Sequence, residues 1–282
     1  MTLADALVLL AAGTAGGIAS TVFSLASLVS YPVLLALGLP PLTANVTNTV
    51  SLVLTGAGSA VGSRPELTGQ GTRVRRFGTV TALGGAAGAA ALLLSPAHSF
   101  ELVVPVLIGG AAVLLLIQPR VKSLSARPDG ERSVPLTMAL FAAAMYVGYF
   151  GAGGGVLLLA VLGMMIDEAL ARLNALKNVI SGLANFVAAV GFAVFAPVRW
   201  SFVLPLAAGF LIGGWTGPKV VRRMPPEGLR VIVALAGVGL AVRLGWSAYR
   251  LLVTGYRVSG YRVTGLPGAI ASFEPLPVVV AN

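Results

Sequence analysis

The sequence predicts an all-α polytopic membrane protein built as an inverted repeat of two five-segment halves. This fold class implies about 8–10 transmembrane segments, with one short or broken helix in each half. Three observations predict it: the composition, the regular recurrence of long apolar runs, and a polar pattern that occurs twice along the chain.

The composition places most of the chain in lipid. Of the 282 residues, 57% are hydrophobic and only 10% are charged, and the mean hydropathy is +0.93. Soluble domains carry roughly 25% charged residues, so this chain is too apolar to cover a water-facing surface. The absence of cysteine from the sequence excludes disulfides and thiolate metal sites.

Apolar runs of membrane-spanning length recur along the whole chain. About 20 helical residues cross the ~30 Å hydrocarbon core of a bilayer. Two short runs, 28–39 and 155–166, are long enough only for half-helices. No basic segment precedes the first run, so we expect no cleavable signal peptide. The runs near full length are 3–20, 44–62, 78–95, 101–118, 135–150, 169–196, 200–218 and 228–248.

The positive charge reports topology rather than nucleic-acid binding. The net charge is +10, but the basic residues lie between apolar runs and form no basic face, so we expect no nucleic-acid partner. Fourteen of the nineteen Lys and Arg residues lie in alternate loops, whereas loops 39–43 and 96–100 have none. The positive-inside rule therefore predicts a multi-pass plasma-membrane protein with both termini outside. Loops 63–76, 119–134 and 219–227 are then cytoplasmic.

The order of long and short runs is the same in two parts of the chain. Residues 1–118 form the first predicted repeat and residues 135–248 the second, joined by a cytoplasmic linker at 119–134 and followed by a tail at 249–282. Five crossings per half is an odd number, so the second copy must be inverted in the membrane. Inverted repeats are the architecture of many secondary transporters.

The third segments of the two halves carry the same polar face. Its members lie at steps of 4, 3 and 4 residues, which place them on one side of a helix. They are Ala44, Asn48, Ser51 and Thr55 in the first half and Asn174, Asn178, Ser181 and Asn185 in the second, at an offset of 130. Polar groups inside membrane spans usually face the bundle interior or a cavity. Hydrogen bonding between helices is the alternative role for this face.

A second shared feature is an interruption rich in small residues. The stretch VGYFGAGGG at 147–155 joins the first two segments of the second half, and VFSLASL at 22–28 is its counterpart. Paired interruptions of this kind indicate broken helices that meet near the bilayer midplane, where backbone N–H groups and helix dipoles favour an anion. The fourth-segment glycines instead predict close helix packing. They are Gly84, Gly85, Gly88, Gly213, Gly214 and Gly217.

These motifs resemble those of the TauE/SafE family of sulfite exporters and related anion permeases. The resemblance rests on FGAGGGVLLLAVLGM at 150–164, RLNALKN at 172–178 and YPVLLALGLPPLTANVTNTVS at 31–51. It covers about residues 1–248. It implies a membrane carrier for a small anion such as sulfite or an organosulfonate.

The predicted site combines the breaks with the polar faces. Hydrogen bonds to one side of the anion would come from backbone N–H groups at Gly153–Gly155 and from the hydroxyls of Ser24 and Ser27. Hydrogen bonds to the other side would come from the side-chain amides of Asn48 and Asn178. Lys177 is the cation next to this face, either contacting substrate or snorkelling to the cytoplasmic surface. Many neutral donors favour a singly charged anion. The candidate substrate-binding residues are Ser24, Ser27, Thr47, Asn48, Gly153, Gly154, Gly155, Lys177, Asn178 and Ser181.

No catalytic constellation is recognisable in the sequence. The single histidine, His98, lies in a short loop, and neither a zinc helix nor a serine-hydrolase turn occurs. We therefore expect no enzyme activity, no cofactor and no metal site. The favoured function is a secondary exporter of a small sulfur-containing anion; an anion channel, or a permease for another small anion, is the alternative. The expected partners are the anion and the lipid bilayer, and homo-oligomerisation is left open.

Overall fold

The computed structural model describes most of the predicted helical region. It covers residues 1–96 and 133–221, and beyond them Val242 and three short strands. Several predicted features lie outside the described residues: the apolar runs 101–118 and 228–248, the linker residues 119–132, His98, and most of the tail.

Nine helices account for the two continuous parts that the structure describes. The first part contains α1 (Leu3–Phe23), α2 (Ala26–Ala36), α3 (Pro41–Gly62), α4 (Arg64–Leu67) and α5 (Gly71–Leu94). The second contains α6 (Val134–Tyr149), α7 (Gly154–Met165), α8 (Leu170–Phe195) and α9 (Trp200–Val221). Helix α5 begins seven residues before the predicted run at 78, so Arg73, Arg75 and Arg76 are helical rather than in a loop.

The helix lengths agree with a membrane protein that has short helices in both parts. Within the described residues, four segments are long and apolar enough to cross a bilayer: Leu3–Thr21, Gly71–Leu94, Ala171–Phe195 and Trp200–Lys219. Helices α2, α6 and α7 are apolar but have only 11, 16 and 12 residues. Helix α3 has 22 residues but is not among these four segments, since it carries many polar side chains. Most of these side chains are buried against other helices.

The helices pack in matched pairs. Helix α1 packs on α9, and its counterpart α6 packs on α5. Helix α3 also packs on α9, and its counterpart α8 also packs on α5. The short helices α2 and α7 each pack between their neighbours in the chain, and α3 packs on α8 at the centre. Exchanging α1, α2, α3 and α5 for α6, α7, α8 and α9 therefore reproduces these pairings, whereas α4 has no counterpart.

Glycines allow the closest of these contacts. A Cβ on Gly17 of α1 would lie 2.9 Å from Gly213 Cα of α9, and one on Gly84 of α5 would lie 2.7 Å from Ala144 Cβ of α6. At the centre, a Cβ on Gly56 of α3 would lie 2.9 Å from Gly182 Cα of α8. The packing role predicted for the fourth-segment glycines is confirmed, because each of the six has a neighbouring backbone or side chain where a Cβ would stand.

The described part of the tail forms strands, which the all-α prediction did not include. Strand β1 (Arg257–Val258) pairs antiparallel with β2 (Tyr261–Thr264), and β2 pairs antiparallel with β3 (Ser272–Pro275). The first two strands come from the short repeat Gly-Tyr-Arg-Val at 255–258 and 260–263. Tyrosine and valine favour extended backbone, and this preference is the signal that the helix-based interpretation missed.

Candidate functional site

The first break lies between α1 and α2. Ser24 ends α1 with φ 66° and ψ 35°, in the left-handed region, and its N–H donates to the Ser20 carbonyl at 2.8 Å. Among described residues other than glycine, Ser24 is the one with positive φ. This conformation is uncommon for an L-residue. Glycine would adopt it at lower energy than the serine that occupies the position.

The second break lies between α6 and α7. Gly151 has φ 79°, and Gly153, the N-cap of α7, has φ 75°. Gly151 and Ser24 are 127 residues apart, and each lies within its predicted interruption, 147–155 and 22–28. Both halves therefore leave the helix through a left-handed residue.

Each break is held by an asparagine from the other part of the chain. Asn174 Nδ2 of α8 donates to the Thr21 carbonyl near the end of α1 at 2.7 Å. Asn45 Nδ2 of α3 donates to the Tyr149 carbonyl at the end of α6 at 3.1 Å. These amides satisfy carbonyl groups that the end of a helix leaves without an intrahelical partner.

The two breaks face each other. A Cβ on Gly155, at the start of α7, would collide with Ser24 Cβ. A Cβ on Gly151 would lie 3.9 Å from Ser27 Oγ at the start of α2. The rings of Tyr31 and Phe150 meet edge to face, with centroids 5.7 Å apart.

A polar cavity of about 40 Å³ lies at this junction; we call it the central cavity. One water molecule needs roughly 10–15 Å³ of such space, so the cavity has room for an oxyanion of a few heavy atoms. Among the described residues that line it, none is acidic and Lys177 is the cationic one. They are Ser20, Ser24, Ala26, Ser27, Leu52, Thr55, Gly56, Ser59, Gly151, Gly155, Lys177, Asn178, Ser181, Gly182 and Asn185.

Lys177 is the strongest electrostatic feature of the cavity. The residue is 1% exposed, and its Nζ donates to Ser24 Oγ at 2.5 Å. Its stem passes the first turn of α7, since a Cβ on Gly155 would lie 3.5 Å from Lys177 Cδ. The snorkelling alternative is therefore wrong. A charge buried away from water interacts more strongly with its surroundings than an exposed one, so the Lys177 ammonium favours an anion over a cation in this cavity.

Asn178 presents a second donor. It is 8% exposed, and its Nδ2 has no hydrogen-bond partner among the described residues. A buried donor without a partner costs about 1–3 kcal/mol. A bound oxyanion would supply the missing acceptor.

The structure brings together six of the ten predicted site residues. Ser24, Ser27, Gly155, Lys177, Asn178 and Ser181 line the central cavity. Sequence reasoning left Ser20, Gly56, Ser59, Gly151 and Gly182 out of the site. The signal for Ser59 was present, because it continues the polar stripe of α3 four residues after Thr55.

The other four predicted residues lie elsewhere. Asn48 Nδ2 donates to Ser27 Oγ at 3.0 Å, and its Oδ1 accepts from Ser30 Oγ at 2.6 Å, so this amide ties α3 to α2. Thr47 Oγ1 accepts from the Arg199 backbone N–H at 3.0 Å. Gly153 caps α7, and a Cβ on Gly154 would meet Val147 Cγ2 at 2.5 Å rather than the cavity.

Outside the central cavity, two turns border a groove and a third turn carries ion pairs. The turns between α2 and α3 and between α8 and α9 border a groove of about 510 Å³ that includes Thr43, Arg199 and Phe202. The turn between α7 and α8 instead carries Glu168, which forms ion pairs with Arg73 and Arg172, each at 2.8 Å. Hydrogen bonds from these two guanidinium groups lower the pKa of the Glu168 carboxyl.

These features define a helical membrane protein with a small cation-lined cavity between two helix breaks, an arrangement suited to carrying an anion. The chain belongs to the TauE/SafE family, because the family model described as Sulfite exporter TauE/SafE matches residues 9–244. The resemblance seen in the sequence motifs is thereby confirmed. No curated protein and no solved structure matches the chain.

Membership of this family makes the chain a multi-pass membrane transporter. It agrees with the expectation that the chain is not an enzyme, since the family is one of exporters. A small anion and the lipid bilayer are the partners that this membership supports.

Proposed function

We propose that this protein is a secondary carrier that exports a small sulfur-containing anion, sulfite or an organosulfonate, across the plasma membrane. The observation that carries the proposal is the buried Lys177 ammonium in a cavity whose described lining residues include no carboxylate. The unpartnered Asn178 amide beside it adds a neutral donor. Together they favour an anion over a cation or a neutral solute.

The matched helix pairs support an inverted repeat. In this proposal, residues 1–118 and 135–248 are the two inverted halves, and residues 119–134 form a cytoplasmic linker. An inverted repeat requires each contact in one half to have a counterpart in the other. The contact between α1 and α9 corresponds to that between α6 and α5, and the bond from Asn45 corresponds to the bond from Asn174. Transporters with inverted repeats bind substrate at the repeat interface, and residues of both proposed halves line the central cavity.

The topology has a direct test in single-cysteine variants, because the chain has no cysteine of its own. Gln70 is a poor label site, being 1% exposed with its amide bonded to the Arg172 carbonyl. Thr72 and Ser201 are exposed and lie at equivalent positions, near the starts of α5 and α9. An impermeant thiol reagent added to intact cells should label Ser201→Cys and leave Thr72→Cys unlabelled; the reverse pattern overturns the orientation.

A carrier and a channel are separated by counterflow. Proteoliposomes preloaded with unlabelled sulfite should accumulate radiolabelled sulfite transiently above equilibrium if the cavity alternates between the two sides. Uptake that rises linearly with concentration and shows no counterflow favours the channel alternative.

A further inference from the structure

Hydroxyl groups along α3 behave in two different ways. Thr49 Oγ1 donates to the Asn45 carbonyl at 3.0 Å and Ser51 Oγ to the Thr47 carbonyl at 2.8 Å. Such bonds to the preceding turn are the usual arrangement for a buried hydroxyl in a helix. Thr55 Oγ1 and Ser59 Oγ, further along the same helix, have no hydrogen-bond partner among the described residues.

Both exceptional hydroxyls are buried and line the central cavity. Thr55 is 5% exposed and Ser59 is 1% exposed. They are four residues apart, so they lie on the same face of α3. Because a buried hydroxyl without a partner is unfavourable, their orientation indicates a partner inside the cavity.

A third oxygen comes from α8. Asn185 also lines the cavity, and its Oδ1 has no partner among the described residues. The contact between Gly56 and Gly182 holds α3 and α8 together beside it. Thr55 directly precedes Gly56, and Asn185 lies one helical turn after Gly182. The Gly56–Gly182 contact therefore brings the helix segments that carry Thr55 and Asn185 to the same part of the cavity.

The chemistry of these oxygens differs from that of Lys177 and Asn178. An amide oxygen only accepts hydrogen bonds, and each hydroxyl oxygen offers lone pairs as well as its proton. Oxygen atoms of this kind are the ligands of hard cations, and transporters of this general type coordinate Na⁺ with neutral oxygens. We propose that Thr55, Ser59 and Asn185 bind a Na⁺ ion in the central cavity, next to the transported anion.

The charges in the cavity explain why the two ions bind together. Lys177 supplies one positive charge, and none of the lining residues within the described ranges supplies a negative one. Na⁺ alone is therefore repelled. Lys177 would neutralise a singly charged anion, the species expected from the sequence and the charge state of an organosulfonate, whereas the sulfite dianion leaves one negative charge for Na⁺ to balance. Each ion then raises the affinity for the other, and this coupling is reciprocal. The inference rests on the proposed function, because the anion supplies the missing charge.

The test is the sodium dependence of sulfite uptake into proteoliposomes containing the full chain. Uptake of radiolabelled sulfite is measured at one ionic strength in NaCl, KCl and choline chloride. We expect half-saturation to rise at least tenfold when choline or K⁺ replaces Na⁺. Thr55→Val and Ser59→Ala should remove this difference and leave uptake in NaCl at the choline level.

Matched controls come from the same helix. Thr49→Val and Ser51→Ala remove hydroxyls that bond only to the preceding turn and do not line the cavity, so both should keep the full sodium dependence. Equal half-saturation in the three salts with counterflow intact overturns the cation site and leaves the proposed function standing. Absence of saturable sulfite uptake in every salt overturns both.

Discussion

Both helix breaks contain left-handed backbone, but they are built from different residues. The second break reaches positive φ at Gly151 and Gly153, where glycine adopts this conformation without steric cost. The first break reaches it at Ser24, where an L-residue costs roughly 1–2 kcal/mol. The serine hydroxyl accepts a hydrogen bond from the buried Lys177 ammonium. The difference indicates that the first break keeps a strained residue because it also contributes a polar group to the site.

The largest expected effect comes from filling the space between the breaks. Gly155→Val should abolish sulfite transport, because the new side chain would occupy the position of Ser24 Cβ and part of the cavity. Proteoliposome uptake, normalised to protein that elutes as a single peak in detergent, measures this effect. Gly71→Ala is the control, since nothing lies within 4 Å of a Cβ there. Wild-type uptake by Gly155→Val contradicts the proposed closeness of the breaks.

Two asparagines that the sequence comparison placed at equivalent positions, Asn48 and Asn178, should differ in their effect on binding. Asn178→Ala removes an unpartnered donor of the cavity and should weaken sulfite binding by roughly 10- to 100-fold, the effect of losing one hydrogen bond to a charged ligand. Asn48→Ala breaks bonds to Ser27 and Ser30 and should lower thermal stability more than affinity. Isothermal titration and a melting curve on each variant separate the two cases. Equal losses of affinity would falsify the assignment of Asn48 to a purely structural contact.

Two substitutions of Ser24 separate backbone strain from the hydroxyl group. Ser24→Gly and Ser24→Ala both remove the oxygen that Lys177 contacts, so both should weaken sulfite binding to the same extent. Only glycine relieves the left-handed strain, so Ser24→Gly should be about 1 kcal/mol more stable than Ser24→Ala. Chemical denaturation in detergent measures this difference. Equal stability of the two variants removes the strain argument.

The smallest effect concerns the ion pairs of Glu168. Its folded-state pKa is lowered by hydrogen bonds from Arg73 and Arg172, so its contribution to stability is present above the pKa of an unfolded glutamate. That contribution is lost as pH falls through the lowered folded pKa. Glu168→Gln should therefore reduce the melting temperature slightly at pH 7 and flatten its decline on acidification. A pH profile identical to that of the wild type contradicts this role.

The helix pattern was largely predictable from sequence, because membrane-spanning length and small-residue interruptions are local properties. Helix α7 begins and ends one residue from the predicted run at 155–166. The register between the repeats was harder to predict. The sequence pattern predicts that Ala44 and Asn174 are equivalent. In the structure, however, it is Asn45 and Asn174 that donate corresponding hydrogen bonds to the ends of α6 and α1. A shift of one residue turns a helical side chain by about 100°, and this shift separates Asn48 from the cavity that Asn178 lines.

The burial of Lys177 also depended on information outside its own segment. The sequence placed it close to a predicted cytoplasmic loop, where a lysine often reaches water. The structure surrounds it with the first turn of the preceding helix, α7, and with the end of α1, which is 153 residues away in the chain. Its role in the site therefore became visible only from tertiary contacts.

The anion site between the two breaks is tested most directly by the sulfite affinity of two lysine variants. Lys177→Met removes the cavity cation, while Lys219→Met removes an exposed lysine that lies over the Trp215 ring, 4.1 Å from its centroid. Isothermal titration of the purified proteins should show at least a hundredfold weaker sulfite binding for Lys177→Met and wild-type affinity for Lys219→Met. Wild-type affinity in Lys177→Met, with the protein folded, contradicts an anion site between the two breaks.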